Sequence, residues 1–133
     1  HCRRNAADAG HKSDRSGLYA GPASAVDETA GSNVIENLSD IAPDLARYII
    51  EFAFGQIYER PGLSLQEREL LTLSSLLTAG GCEAQLQVHI NAALHVGIKE
   101  EKIIEAFLHC IPYTGFHKVL NAVAVAGQIF SGK

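Results

Sequence analysis

The sequence predicts an all-α fold of about six helices. Beyond Asn33 the apolar residues recur at three- and four-residue intervals, and the breaks between runs fall at Gly and Pro. No Asn-Gly hairpin turn and no alternating Val, Thr and Tyr run supplies a strand signal. At 133 residues there is room for one domain with a single core.

From His1 to about Ser32 the chain is mostly Ala, Gly, Ser, Asp and Arg, a composition that buries too little apolar surface to offset its ordering entropy. Residues 1–32 are expected to form a flexible arm, or one that docks on a neighbouring subunit through Leu18 and Tyr19. The helical domain is expected over residues 33–133. A short helix is predicted from Val34 to Ile41, and a longer one from Pro43, a residue favoured in a first turn, through Ile49 and Phe54 to Tyr58. Arg60, Pro61 and Gly62 end it.

Ser64 followed by Glu67 is a capping box, so the third helix starts there and runs to about Thr78, where Gly80 and Gly81 stop it. The fourth runs from near Cys82 to Gly97, the residue type suited to a left-handed C-terminal cap. The fifth, about Lys99 to His109, places Ile103, Ile104, Phe107 and Leu108 inside, and Pro112 and Gly115 mark the turn after it. The sixth, Phe116 to Phe130, is apolar at every position from Val119 to Ala126 except Asn121. A helix apolar nearly all round needs burial on more than one side, which in so short a chain implies a subunit interface.

The net charge is −4, with no cluster of Lys or Arg, and this excludes the basic face needed by nucleic acid or an anionic membrane. The longest apolar stretch is far short of a membrane span. Three cysteines without a regular framework, and no apolar run behind Arg3 and Arg4, point to a cytoplasmic protein. The chain opens on His1 and contains no Met, so a trimmed or engineered chain is expected.

Chemistry is concentrated between Ser64 and His89. Leu65, Leu73 and Leu76 lie four before, four after and seven after Glu69, so its carboxylate falls on the apolar stripe of the third helix. A carboxylate buried there must find a donor or hold a proton, and either outcome suits acid/base chemistry. On the fourth helix His89 shares a stripe with Cys82, Gln85, Leu86, Ala92 and Ala93, and is the natural partner of Glu69. Glu67 is the acidic member of the capping box and has a structural task, while remaining the alternative to Glu69.

Cys82 sits where a helix N-terminus favours a thiolate, but Gln85 occupies the place of a resolving cysteine. Seven helical residues span about 10 Å, too far for Cys82 to reach His89 within one helix. Arg60 and Arg68 are the nearest guanidinium groups able to grip a substrate carboxylate; Arg68, beside Thr72 and Ser75, faces solvent or a polar pocket. Tyr113 and His117, flanking Gly115, are candidates to line the same pocket. No spacing resembles a metal motif, and no metal or cofactor is expected.

The segments Gly55-Gln56-Ile57-Tyr58-Glu59-Arg60-Pro61-Gly62-Leu63, Glu67-Arg68-Glu69-Leu70-Leu71-Thr72-Leu73, Gln85-Leu86 with His89, and Tyr113-Thr114-Gly115-Phe116 with Asn121-Ala122 together resemble the carboxymuconolactone decarboxylase family over about Ser39 to Phe130. The resemblance implies an AhpD-like helical fold assembled into homotrimers or homohexamers. It also implies one of two activities. A decarboxylase branch removes carbon dioxide from a small carboxylated lactone without metal or organic cofactor, with His89 as proton donor or shuttle, Glu69 or Glu67 as its partner and Arg60 or Arg68 as carboxylate anchor. A thiol peroxidase branch acts on peroxide through Cys-x-x-Cys and His, and here would have Cys82 without its resolving partner. The segment from Gly55 to Leu73 resembles the decarboxylase branch more closely. His117 stands where the family usually has Pro, which alters the expected pocket. A non-catalytic helical oligomer is the third reading.

Overall fold

The structure, a computed structural model, describes residues 33–132. The expected arm of residues 1–32, with Leu18 and Tyr19, lies outside the described residues. Those that are described form six helices and no strand, so the fold is all-α. A short helix α1 covers 33–39. Helix α2, Pro43–Tyr48, runs on without a break into a π-helical segment, Ile49–Ile57. The body consists of α3 (Leu65–Ala79), α4 (Glu83–His95), α5 (Glu100–Thr114) and α6 (Phe116–Ser131).

The π-helical segment departs from the regular helix expected between Pro43 and Tyr58. The amide of Tyr58 bonds back five residues to the carbonyl of Ala53, at 3.0 Å. Gly55 permits the altered register: a Cβ built there would stand 3.1 Å from the Ile50 carbonyl oxygen. Helix α2 and the π-helical segment together form a helical arm, distinct from residues 1–32, and its register fixes where Tyr58 emerges at its end.

Local signals set the remaining helix ends. At α3 both bonds of the capping box form, Glu67 N–H to Ser64 Oγ at 3.1 Å and Ser64 N–H to Glu67 Oε2 at 3.0 Å. After α4, Gly97 has φ +92°, and the Ile98 amide returns to the Ala93 carbonyl at 3.0 Å in a Schellman closure. Helix α5 does not stop near His109. It passes through Pro112 to Thr114 and ends at Gly115, with φ +89°. Pro112 cannot donate to the Leu108 carbonyl, at a cost of about 3 kcal/mol. Burial of Cys110 and packing of Ile111 against the core oppose that cost.

The core gathers Leu73 and Leu77 of α3, Leu86, Ile90 and Ala93 of α4, Ile103 and Phe107 of α5, and Val119, Ala122 and Ala126 of α6. Each fully buried Leu, Ile or Phe contributes about 1.5–3 kcal/mol, so these faces hold the four helices together. Leu108, expected inside, is exposed. So are Phe116 (68 %) and Leu120 (60 %) on α6, which leaves one apolar side of that helix uncovered. No helix among the described residues is long and apolar enough to cross a membrane.

Candidate functional site

Glu69 occupies the second turn of α3, one turn before Leu73 and two before Leu77 on the buried face. Its side chain is 0 % exposed. His89 lies on α4 between Leu86 and Ile90, both buried, at the edge of that helix's inner face, and its ring is 20 % exposed. The packing of α3 on α4 brings His89 Nδ1 to 3.0 Å from Glu69 Oε2. The pairing expected from the two stripes is therefore present.

The second carboxylate oxygen is also engaged. Tyr58 Oη donates to Glu69 Oε1 at 3.1 Å and lies 2.9 Å from Thr72 Oγ1. Burial pushes the Tyr58 phenol up to about 12, and the Glu69 carboxylate adds to the rise, while the hydroxyl of Thr72 and the charge of Arg68 work against it. Tyr58 is thus a phenol, and a donor, throughout the neutral range. When Glu69 is ionised it only accepts, and Nδ1 of His89 then carries the hydrogen between them. Nε2 is then the nitrogen available for proton exchange.

Arg68, next to Glu69, is 8 % exposed rather than facing solvent. One terminal nitrogen donates to the Arg60 carbonyl at 2.6 Å, and its Nε is buried with no partner. A buried donor left unmade costs about 1–3 kcal/mol. Its positive charge acts on the Tyr58 phenol.

The other candidates are elsewhere. Arg60 is exposed and enters only through its backbone carbonyl. Glu67 is exposed and held in the capping box. Cys82 is the N-cap of α4, and its thiol donates to the Gly80 carbonyl at 3.4 Å, not to His89 or Glu69. Tyr113 packs against His109 with tilted rings, centroids 5.6 Å apart, and is exposed, as is His117. Among the described residues no group of three His, Cys, Asp or Glu side chains is arranged to hold a metal ion.

Tyr58 and Thr72 are the members of the constellation that spacing did not single out. Tyr58 closes an apolar helix eleven residues before Glu69, and its contact crosses from one element to another. Helical periodicity gives the face of a side chain and is silent on what folds over it.

A model of the carboxymuconolactone decarboxylase family matches residues 43–128. A 4-carboxymuconolactone decarboxylase of Acinetobacter baylyi is 34% identical over 96 residues, 72% of this chain and 71% of that protein. A nitrosuccinic acid decarboxylase of Metarhizium robertsii is 33% identical over 102 residues, 74% of this chain and 71% of that protein. An uncharacterized 15.0 kDa protein of Paracoccus denitrificans is 24% identical over 95 residues, 71% of each chain.

Proposed function

Since the chain belongs to the carboxymuconolactone decarboxylase family, we propose that it is a decarboxylase acting on a small carboxylated substrate, with His89 as the proton donor and Glu69 as its partner. The observation that carries this reading is the 3.0 Å contact between a half-buried imidazole and a fully buried carboxylate. Such a pair holds one tautomer and leaves the opposite nitrogen to exchange protons.

The acids named for the two decarboxylase relatives each join a carboxyl group to a group that accepts an electron pair, a lactone in one and a nitro group in the other. In a substrate of this kind the bond from carbon to the carboxylate breaks, carbon dioxide leaves, and the electron pair passes into the substrate's own acceptor. His89, protonated on both ring nitrogens, then delivers its Nε2 proton to that carbon and regains one from water. The net change is one carboxylate and one proton converted into carbon dioxide and a C–H bond.

Arg68 is the better anchor of the two arginines, because its buried Nε lacks an acceptor that a carboxylate supplies. A cation should hold a carboxylate the substrate keeps rather than the one it loses, since pairing the leaving group with a guanidinium stabilises the ground state. Self-association is part of the same reading. Leu45, Tyr48 and Phe52 on the arm and Phe116 and Leu120 on α6 are exposed apolar side chains that a homo-oligomer would cover.

The purified protein is to be incubated separately with 4-carboxymuconolactone, nitrosuccinate and an alkyl hydroperoxide. Release of carbon dioxide from either acid supports the proposal. Peroxide consumption that is lost in Cys82→Ala, with no carbon dioxide from either acid, would replace it with the peroxidase reading.

A further inference from the structure

Glu69 is fully buried and is hydrogen-bonded on each oxygen, to His89 Nδ1 through Oε2 and to Tyr58 Oη through Oε1. Tyr58 comes from outside the four-helix body. It stands at the end of the π-helical segment, and the five-residue bond of its amide to Ala53 sets its direction. Its hydroxyl has a single hydrogen. With Glu69 ionised that hydrogen goes to Oε1, and the Thr72 hydroxyl donates in turn to Tyr58 Oη. The bonds then run in one direction on that side of the carboxylate, from Thr72 through Tyr58 to Glu69.

We infer that Tyr58, itself held by Thr72, is a positioning residue that keeps Glu69 fixed as the acceptor of the His89 Nδ1 hydrogen. The inference rests on the decarboxylase reading for its kinetic consequence and on geometry alone for its structural one. Without the phenol, Oε1 is a buried carboxylate oxygen with no donor, and nothing holds the carboxylate in the orientation that presents Oε2 to His89. Nδ1 then loses its fixed acceptor, and the hydrogen of a neutral imidazole can sit on Nε2 instead. The imidazolium that gives up a proton from Nε2 likewise loses its aligned counter-charge. The arm thereby governs a proton held between two helices of the body, although it supplies no group that meets the substrate.

The test compares wild type, Tyr58→Phe and Thr72→Val by steady-state kinetics on 4-carboxymuconolactone and nitrosuccinate, and by nitrogen NMR of imidazole-labelled protein. Tyr58→Phe is expected to lower kcat about 10- to 100-fold, as loss of a partner that orients a functional histidine does, with KM held within about twofold. In the same variant neutral His89 moves from the Nδ1–H to the Nε2–H tautomer, and Thr72→Val moves it in that direction by less. A structural tyrosine would lower stability without moving the tautomer, so an unchanged tautomer overturns the inference whatever happens to kcat. If wild type releases carbon dioxide from neither acid, the decarboxylase reading fails while the NMR comparison still decides the role of Tyr58. Should Tyr58→Phe not fold, the Thr72→Val spectrum decides it.

Discussion

Replacing Glu69 by Gln separates chemistry from folding more cleanly than any other change in the site. The amide has the shape of the carboxylate, and its carbonyl can still accept from Tyr58 Oη, now 3.1 Å from Oε1. Its NH2 group, however, faces His89 Nδ1 in place of the oxygen that lies at 3.0 Å, and donates where the carboxylate accepted. His89 is pushed to the tautomer with hydrogen on Nε2 and loses the negative charge that stabilises its cationic form.

General acid–base catalysis contributes about 10²- to 10⁴-fold, so kcat should fall by that factor, about 3–5 kcal/mol in the barrier. Stability responds far less. Two charge-assisted bonds become neutral ones, each weaker by about 1 kcal/mol, and the variant no longer buries a charge, so the net loss stays below about 2 kcal/mol. The assay is carbon dioxide release at saturating substrate, beside a denaturant titration of the same preparations. A Glu69→Gln protein that keeps more than about a tenth of the wild-type kcat would refute the role of the carboxylate. So would a loss of kcat that follows unfolding.

Three further outcomes are expected. Arg68→Met removes the guanidinium and should raise KM about 10- to 100-fold, the worth of a charged hydrogen bond, whereas Arg60→Gln, at an exposed side chain, should leave KM unchanged; kcat lost at constant KM in Arg68→Met would contradict the anchor. Because the Tyr58 phenol is raised from 10.0 to about 12, the folded state holds its proton more tightly than the unfolded one, so this contribution to stability is complete below pH 10 and is lost as pH rises towards 12. Denaturant midpoints across that window should fall less steeply in Tyr58→Phe, and parallel curves would show that the phenol is not protected. Phe116→Asp with Leu120→Asp should shrink the particle seen by light scattering, and a monomeric wild type would dispose of the assembly.

Much of this architecture was legible in the sequence because it depends on local chemistry. Ser64 and Glu67 announce their cap, Gly97 its left-handed closure, and the leucines around Glu69 its burial. The meeting of Glu69 and His89 follows from two inward stripes on consecutive helices. Features decided by packing between elements were not legible in the same way. The helix continues past Pro112 because Cys110 and Ile111 are held by the core, against the local signal to stop. The π register after Tyr48 turns on a carbonyl brought close to Gly55, and a spacing of three and four residues does not reveal it. Beside Thr72 and Ser75, Arg68 reads as facing either solvent or a polar pocket, and spacing does not choose between them; the loop carrying the Arg60 carbonyl folds over it. Tyr58 reaches Glu69 for a related reason, since the arm that carries it returns across α3.

In the proposed reaction an imidazole paired with a buried carboxylate, and not the thiol at the start of α4, does the chemistry. Carbon dioxide release by His89→Ala and by Cys82→Ala, measured side by side on the acid that wild type turns over best, tests it most directly. Cys82→Ala should retain the wild-type rate and His89→Ala should lose it; activity surviving in His89→Ala, or vanishing in Cys82→Ala, would overturn the assignment of the chemistry to His89.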